Sequence, residues 1–173
     1  SEVGGARVEL IRGLFDTFED TPHAWVLGQL VHYLAAAREV GEAERVAPEC
    51  GIADEWWCHA LLGYVLHVRT EYVESEAAFR EALDLMPGVE YERWITPHYI
   101  VTDDAVREFQ RSTPLEQDLQ FELFWTLSDP LFLFEGNDRL TDHFARLVRA
   151  ENRRNARDPQ GQEWGDDSAA TLI

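Results

Sequence analysis

Asp129, Asp138 and His143 have the side-chain types needed for proton transfer. A histidine between two carboxylates could act as a general base, its ring oriented by one of them. The same residues also have a simpler use. Asp129 precedes Pro130 in a turn, Asn137 and Asp138 stand where a helix begins, and His143 shares a helical face with Leu140, Phe144 and Leu147. No nucleophile is marked, and neither a GxGxxG nor a GxxxxGK phosphate loop occurs. Turn and capping roles are therefore expected, and a carboxylate–histidine site is kept only as the enzyme alternative.

His32 and His67 could ligate a metal or haem, but no CxxCH attachment motif is present. Cys50, Cys58 and His59 supply three zinc-ligand types at irregular spacing, a poor tetrahedral set. No metal and no cofactor is expected. A bridge between Cys50 and Cys58 is conceivable in an oxidising compartment. Two buried thiols packing as small hydrophobes is the favoured expectation.

Composition narrows the partners. The formal charge is −18, from 33 acidic and 15 basic residues, and every basic residue is Arg. Nucleic acid and anionic lipid would repel such a chain, so the acidic balance favours a protein partner with a cationic surface or simply serves solubility, which is the safer reading. The 173 residues are 45% hydrophobic, enough for a core in one domain or two small ones. No apolar run reaches 18 residues, and no charged-then-apolar leader opens the sequence.

The spacing of apolar residues predicts an all-α fold of stacked helical hairpins, then a smaller helical segment and an extended tail. Residues 56–87 form the central unit. A first helix over 56–68 carries Trp56, Leu62 and Leu66 on one stripe, and a second over 73–86 carries Ala78, Ala82 and Leu85 beside Phe79 and Leu83. Pro87 stops the second helix because it has no N–H to donate. Upstream, residues 6–18 form an amphipathic helix through Val8, Ile11, Phe15 and Phe18. Residues 22–39 form a second, capped by Thr21, and residues 42–49 a third after a turn at Gly41.

Leu62, Gly63, Tyr72, Phe79, Ala82 and Pro87 give this unit the spacing of a tetratricopeptide repeat, which it resembles. His59, Leu66 and Ser75 depart from the family's Trp, Tyr and Ala. Leu27-Gly28 mirrors Leu62-Gly63, so residues 22–49 resemble a diverged copy, with a first helix about one turn longer. The resemblance implies a TPR-like repeat region over residues 1–88 whose first helices line a concave face. Carried over position by position, that face shows Trp25, Gln29, His32 and Tyr33, then Trp57, Tyr64 and His67. Such a face would contact a peptide or protein, unless the segment after residue 90 fills it.

Residues 88–93 read as a link, and residues 94–101 as an extended connection or a helix begun at Pro97. Thr102 or Asp103 caps a helix through Arg111. Ser112, Thr113 and Pro114 start the next, with Leu119, Leu123 and Phe124 as its inward stripe, broadened by Phe121 and Trp125. After a loop over 128–137, the last helix covers residues 139–155. Arg146, Arg149, Arg153 and Arg157 make one basic stripe along it, either a solvated face or a docking site on a partner.

The order of Trp94, Tyr99-Ile100-Val101, Phe109, Phe124-Trp125, Asp129-Pro130, Asn137-Asp138, His143-Phe144, Arg146 and Trp164-Gly165-Asp166-Asp167 resembles the bacterial GWxTD domain family. Gly161 lies three residues before Trp164, Asp166 replaces Thr, and the strand-rich continuation is missing. The resemblance therefore implies the helical front part of such a domain over residues 89–173. Its members often carry helical repeats and are often exported, which implies the periplasm or cell envelope. The expected function is a non-catalytic protein–protein interaction module. The alternatives are an accessory subunit of a membrane-associated complex, such as an electron-transfer complex, and an uncharacterised enzyme domain.

Overall fold

A computed structural model describes residues 2–51, 53–98, 100–129 and 133–154. Tyr99, Pro130, Arg157, Gly161, Trp164 to Asp167 and the rest of the expected tail lie outside the described residues. The fold is all-α, with no strand among the described residues. The helices are α1 (Glu2–Asp20), α2 (Ala24–Ala36), α3 (Val40–Val46), α4 (Glu55–Val68), α5 (Tyr72–Leu85), α6 (Gly88–Ile95), α7 (Asp103–Arg111), α8 (Pro114–Ser128) and α9 (Asp138–Arg154).

Two hairpins, α2–α3 and α4–α5, form the body, with α1 packed on α2. Both turn through a residue with positive φ, Arg38 at 67° and Thr70 at 64°, so the first reversal is at Arg38 and not at Gly41. Each turn closes with the same bond, from Glu39 N–H to Leu34 O and from Glu71 N–H to Leu66 O, both 3.0 Å. This is the Schellman pattern, which satisfies carbonyls that a helix end leaves open. From Gly28 to Arg38 is ten residues and from Gly63 to Thr70 seven, so the first hairpin does carry one more turn. α2 starts later than expected. His23 is extended and its Nδ1 accepts from Trp25 N–H at 3.1 Å, so His23 rather than Thr21 is the cap.

The α4–α5 contact is close because Gly63 has no side chain. A Cβ there would sit 2.9 Å from the ring of Phe79, and Ser75 Oγ donates to Gly63 O at 2.7 Å. The buried face of α4 is Trp57, Leu61, Tyr64 and Val65, while Trp56 and Leu62 are only partly covered. On α5, Ala78, Phe79, Ala82 and Leu83 are buried and Leu85 is exposed. Val8 and Leu10 of α1 are likewise exposed, whereas Phe18 is buried.

Residues 88–95 are helical rather than a link. Pro87 is the N-cap of α6, Glu90 and Arg93 pair one turn apart, and Trp94 and Ile95 turn inward. Downstream, Thr102 caps α7, and Thr113 with Glu116 forms a capping box on α8. One apolar core runs from Phe18 to Val148, across residue 88 without a break. Phe144 of α9 is fully buried at its centre. Its ring lies 5.3 Å from Phe79, 5.8 Å from Trp94 and 6.2 Å from Phe121, which joins α5, α6 and α8.

Candidate functional site

α9 packs on α2, α4 and α5, and so on both helices that the repeat reading expects to line a concave face. Asn152 is the clamp. Its backbone carbonyl accepts from Gln29 Nε2 at 2.8 Å and Trp25 Nε1 at 3.2 Å, and its side-chain Nδ2 donates to Gly28 O at 3.1 Å. Gly28 therefore does a different job from Gly63. A Cβ at Gly28 would run into Asn152 and approach Trp57, so its missing side chain makes room for α9 rather than for α3.

The other groove residues are engaged too. Trp57 Nε1 donates to Ala24 O at 3.2 Å. Tyr64 OH lies 3.4 Å from His32 Nδ1, and the Tyr33 ring is edge-on to His32 at 5.4 Å. Burial holds His32 below the ordinary histidine range, and the nearby charges of Arg149 and Arg153 add to that. Burial raises the Tyr64 hydroxyl. His67 Nδ1 lies 3.0 Å from Thr141 Oγ1, and its Nε2 is 3.8 Å from Asp142. Its pKa is lowered by burial, against the opposing pull of Asp142 and Asp138. Thr141 is fully buried and its hydroxyl donates to Asp138 O at 3.1 Å, so it accepts from His67 and is not poised as a nucleophile. His32 and His67 thus have different partners, and among the described residues no group of three His, Cys, Asp or Glu could hold a metal.

Asp129, Asp138 and His143 do not form a hydrogen-bonded set among the described residues. His143 packs on Trp125, ring centroids 4.9 Å apart, and burial lowers its pKa to about 4. Asp129 follows α8 at its C-cap. Asn137 caps α9: its Oδ1 accepts from Leu140 N–H at 2.9 Å while its Nδ2 donates to Trp125 O at 2.8 Å.

On the arginine stripe, Arg146 Nε pairs with Asp142 at 2.8 Å. Arg149 and Arg153 have no carboxylate within 4.0 Å among the described residues, and Arg157 lies outside them. Cys50 and Cys58 are joined, Cα atoms 5.6 Å apart, which corrects the expectation of two free thiols.

The feature the pattern reading missed is on α8. Leu119 and Leu123 face outward, not inward, at 62% and 59% exposure, in a row with Leu115 at 70% and Leu127 at 69%. Phe121 and Trp125 take the core instead. Both faces of α8 are apolar, so periodicity gave no sign of which one the core would choose, and the aromatic face buries more area. Acidic groups border the ridge: Glu116, then Asp118, which accepts from Tyr91 OH at 3.0 Å, and Glu122, gripped by Arg80 at 2.6 Å. No helix among the described residues is long and apolar enough to cross a membrane.

No protein-family model, no curated protein and no solved structure matches the chain.

Proposed function

We propose that the chain is a non-catalytic protein–protein interaction module of the bacterial cell envelope, docking its partner on the outer face of α8. The observation that carries this reading is the ridge of Leu115, Leu119, Leu123 and Leu127. Leucines every fourth residue form the kind of row that interdigitates with a second helix. Four large apolar side chains aligned on one exposed face are the signature of an interaction site rather than scattered surface residues. The acidic border and the charge of −18 suit a partner helix flanked by basic residues. The Schellman turns and the Gly63–Phe79 contact support the tetratricopeptide reading of the hairpins. The joined cysteines support an oxidising compartment. The packing of α9 on α2 and α4 favours docking on α8 over docking on the expected concave face.

The ridge also favours a second reading, a permanent accessory subunit of a larger membrane-associated assembly, because obligate interfaces are the more apolar ones. The test is a quantitative pull-down from native membranes and from soluble extract. Wild type is compared with Leu119→Ser/Leu123→Ser and with Arg149→Ala/Arg153→Ala. A stoichiometric protein captured by wild type and by the arginine variant, but not by the leucine variant, is expected. Survival of the captured pair in detergent and high salt selects the permanent subunit. Equal capture by the leucine variant overturns the docking face.

A further inference from the structure

Beside the clamp of Asn152 lies a cleft of about 170 Å³ lined by His23, Trp25, Asp54, Trp56, Trp57 and Glu151, among others. Three indoles in so small a space are unusual for a surface. Trp56 and Trp57 stand at 70° to each other with centroids 5.6 Å apart, so two walls of the cleft are nearly perpendicular aromatic rings. Trp25 and Trp57 are fixed by their indole bonds to Asn152 O and Ala24 O. Trp56 is braced from the other side by Trp94, edge-on at 5.8 Å. The Nε1 of Trp56 is buried with no hydrogen-bond partner among the described residues.

The charge at the rim has one sign to spare. Glu151 is held by Arg93 at 2.9 Å and approached by Arg154 at 3.8 Å. Asp54 is exposed, sits at the N-cap of α4 without a side-chain capping bond, and has no ion pair among the described residues. A rigid aromatic corner with one uncommitted carboxylate attracts a soft organic cation: the ring faces are negative, and a methylated ammonium loses little hydration on entering. The volume is well below the ~300 Å³ of a site for an extended ligand, so it takes a single head group.

We propose that this cleft binds a methylated ammonium group, with Trp25, Trp56 and Trp57 as its cage and Asp54 as its counter-charge. This stands apart from the docking face on α8 and fails or holds separately from it. The group could arrive on a free quaternary ammonium solute or on a methylated lysine of a protein, and the chemistry is the same.

The test is titration of the whole chain with choline, followed by the indole N–H signals in NMR. The uncharged carbon isostere 3,3-dimethylbutan-1-ol and sodium chloride of equal ionic strength serve as controls. Choline is expected to shift the signals of Trp25, Trp56 and Trp57 saturably, with a dissociation constant on the order of 1 mM, and the isostere to bind at least about tenfold more weakly. Asp54→Asn, at an exposed site that leaves the fold intact, is expected to weaken choline about threefold or more. Trp56→Leu is expected to abolish the shifts, and Trp56→Phe to restore part of them. A trimethyllysine peptide and its unmethylated twin assign the source. Tighter binding of the methylated peptide than of choline points to a protein side chain, and the reverse order to a solute. Equal binding of choline and the isostere, no saturable shift with any of these probes, or an unchanged affinity in Asp54→Asn overturns the proposal.

Discussion

The side-chain amide of Asn152 donates to the carbonyl of Gly28 across 124 residues of sequence, with 3.1 Å between the atoms. The bond needs both partners as they are, since only a glycine leaves room for the asparagine. Gly28→Ala is expected to cost about 1–3 kcal/mol through overpacking. Asn152→Ala loses a buried hydrogen bond and costs about 1–3 kcal/mol by itself. Combined, the two should cost less than their sum, because the smaller side chain at 152 relieves the crowding that the alanine methyl creates. Urea denaturation of the four proteins gives the coupling, and strict additivity would mean that α9 does not sit against Gly28.

Gly136 has φ +80°, and a Cβ there would lie 2.7 Å from the backbone of Tyr72 and Val73. Both the backbone angle and the clash oppose a side chain. Gly136→Ala is therefore expected to destabilise the fold by about 1–3 kcal/mol. Gly41→Ala, where a Cβ meets nothing within 4 Å, should be neutral or mildly stabilising. Thermal melts of the pair separate the two outcomes.

His143, His32 and His67 are all pushed below the ordinary value of 6.5, in each case first by burial. The unfolded chain protonates near pH 6.5, whereas folded His143 waits until about pH 4. Stability is therefore intact above pH 6.5 and falls as pH drops through 6.5 toward 4, by roughly 3 kcal/mol at most from His143. The charged groups acting on His143 are Asp142, which favours protonation, and Arg146, which opposes it. His143→Gln should flatten this acid limb. Denaturation midpoints measured at intervals from pH 7.5 to pH 4 would show it, and an unchanged slope would place His143 in contact with water.

The two faces of α8 should answer oppositely to substitution. Leu119→Ser and Leu123→Ser on the ridge are expected to change stability by no more than about 0.5 kcal/mol. Phe121→Ala, on the buried face of the same helix, should cost about 3–5 kcal/mol. A calorimetric comparison decides which face the core holds, and a large loss from the leucine changes would mean that α8 is turned over.

Much of the fold was legible because apolar spacing and helix punctuation point the same way over long stretches. Pro87, Thr102, Thr113 and Pro114 all mark helix ends where the structure has them. α6 was misread because the run from Gly88 opens with glycine and is mostly polar, and its inward pair comes only at Trp94 and Ile95. Local propensity also favoured Gly41 over Arg38 for the first reversal. A Schellman turn can hold a non-glycine residue with positive φ when the flanking bonds repay the strain. The repeat spacing is what drew the groove residues together in the sequence, but one sequence position cannot show which segment packs on them. Asn152, the residue that decides this, belongs to no pattern: it is one buried polar side chain, and only its partners at Trp25, Gly28 and Gln29 give it meaning. The leucines of α8 failed for the opposite reason, since that helix offers two apolar stripes and periodicity cannot rank them.

The packing of α9 on both hairpins also sets an order of events during synthesis. Leu27, Leu61 and Val65 leave the ribosome long before Phe144 and Val148, which share their core. Until α9 emerges, the nascent hairpins present an open apolar trough, the kind of surface that chaperones engage and that aggregates when left alone. The closing contacts join residues more than 120 positions apart. Docking of α9 is therefore expected to be the late step, and a stall in translation before it would strand a half-built core.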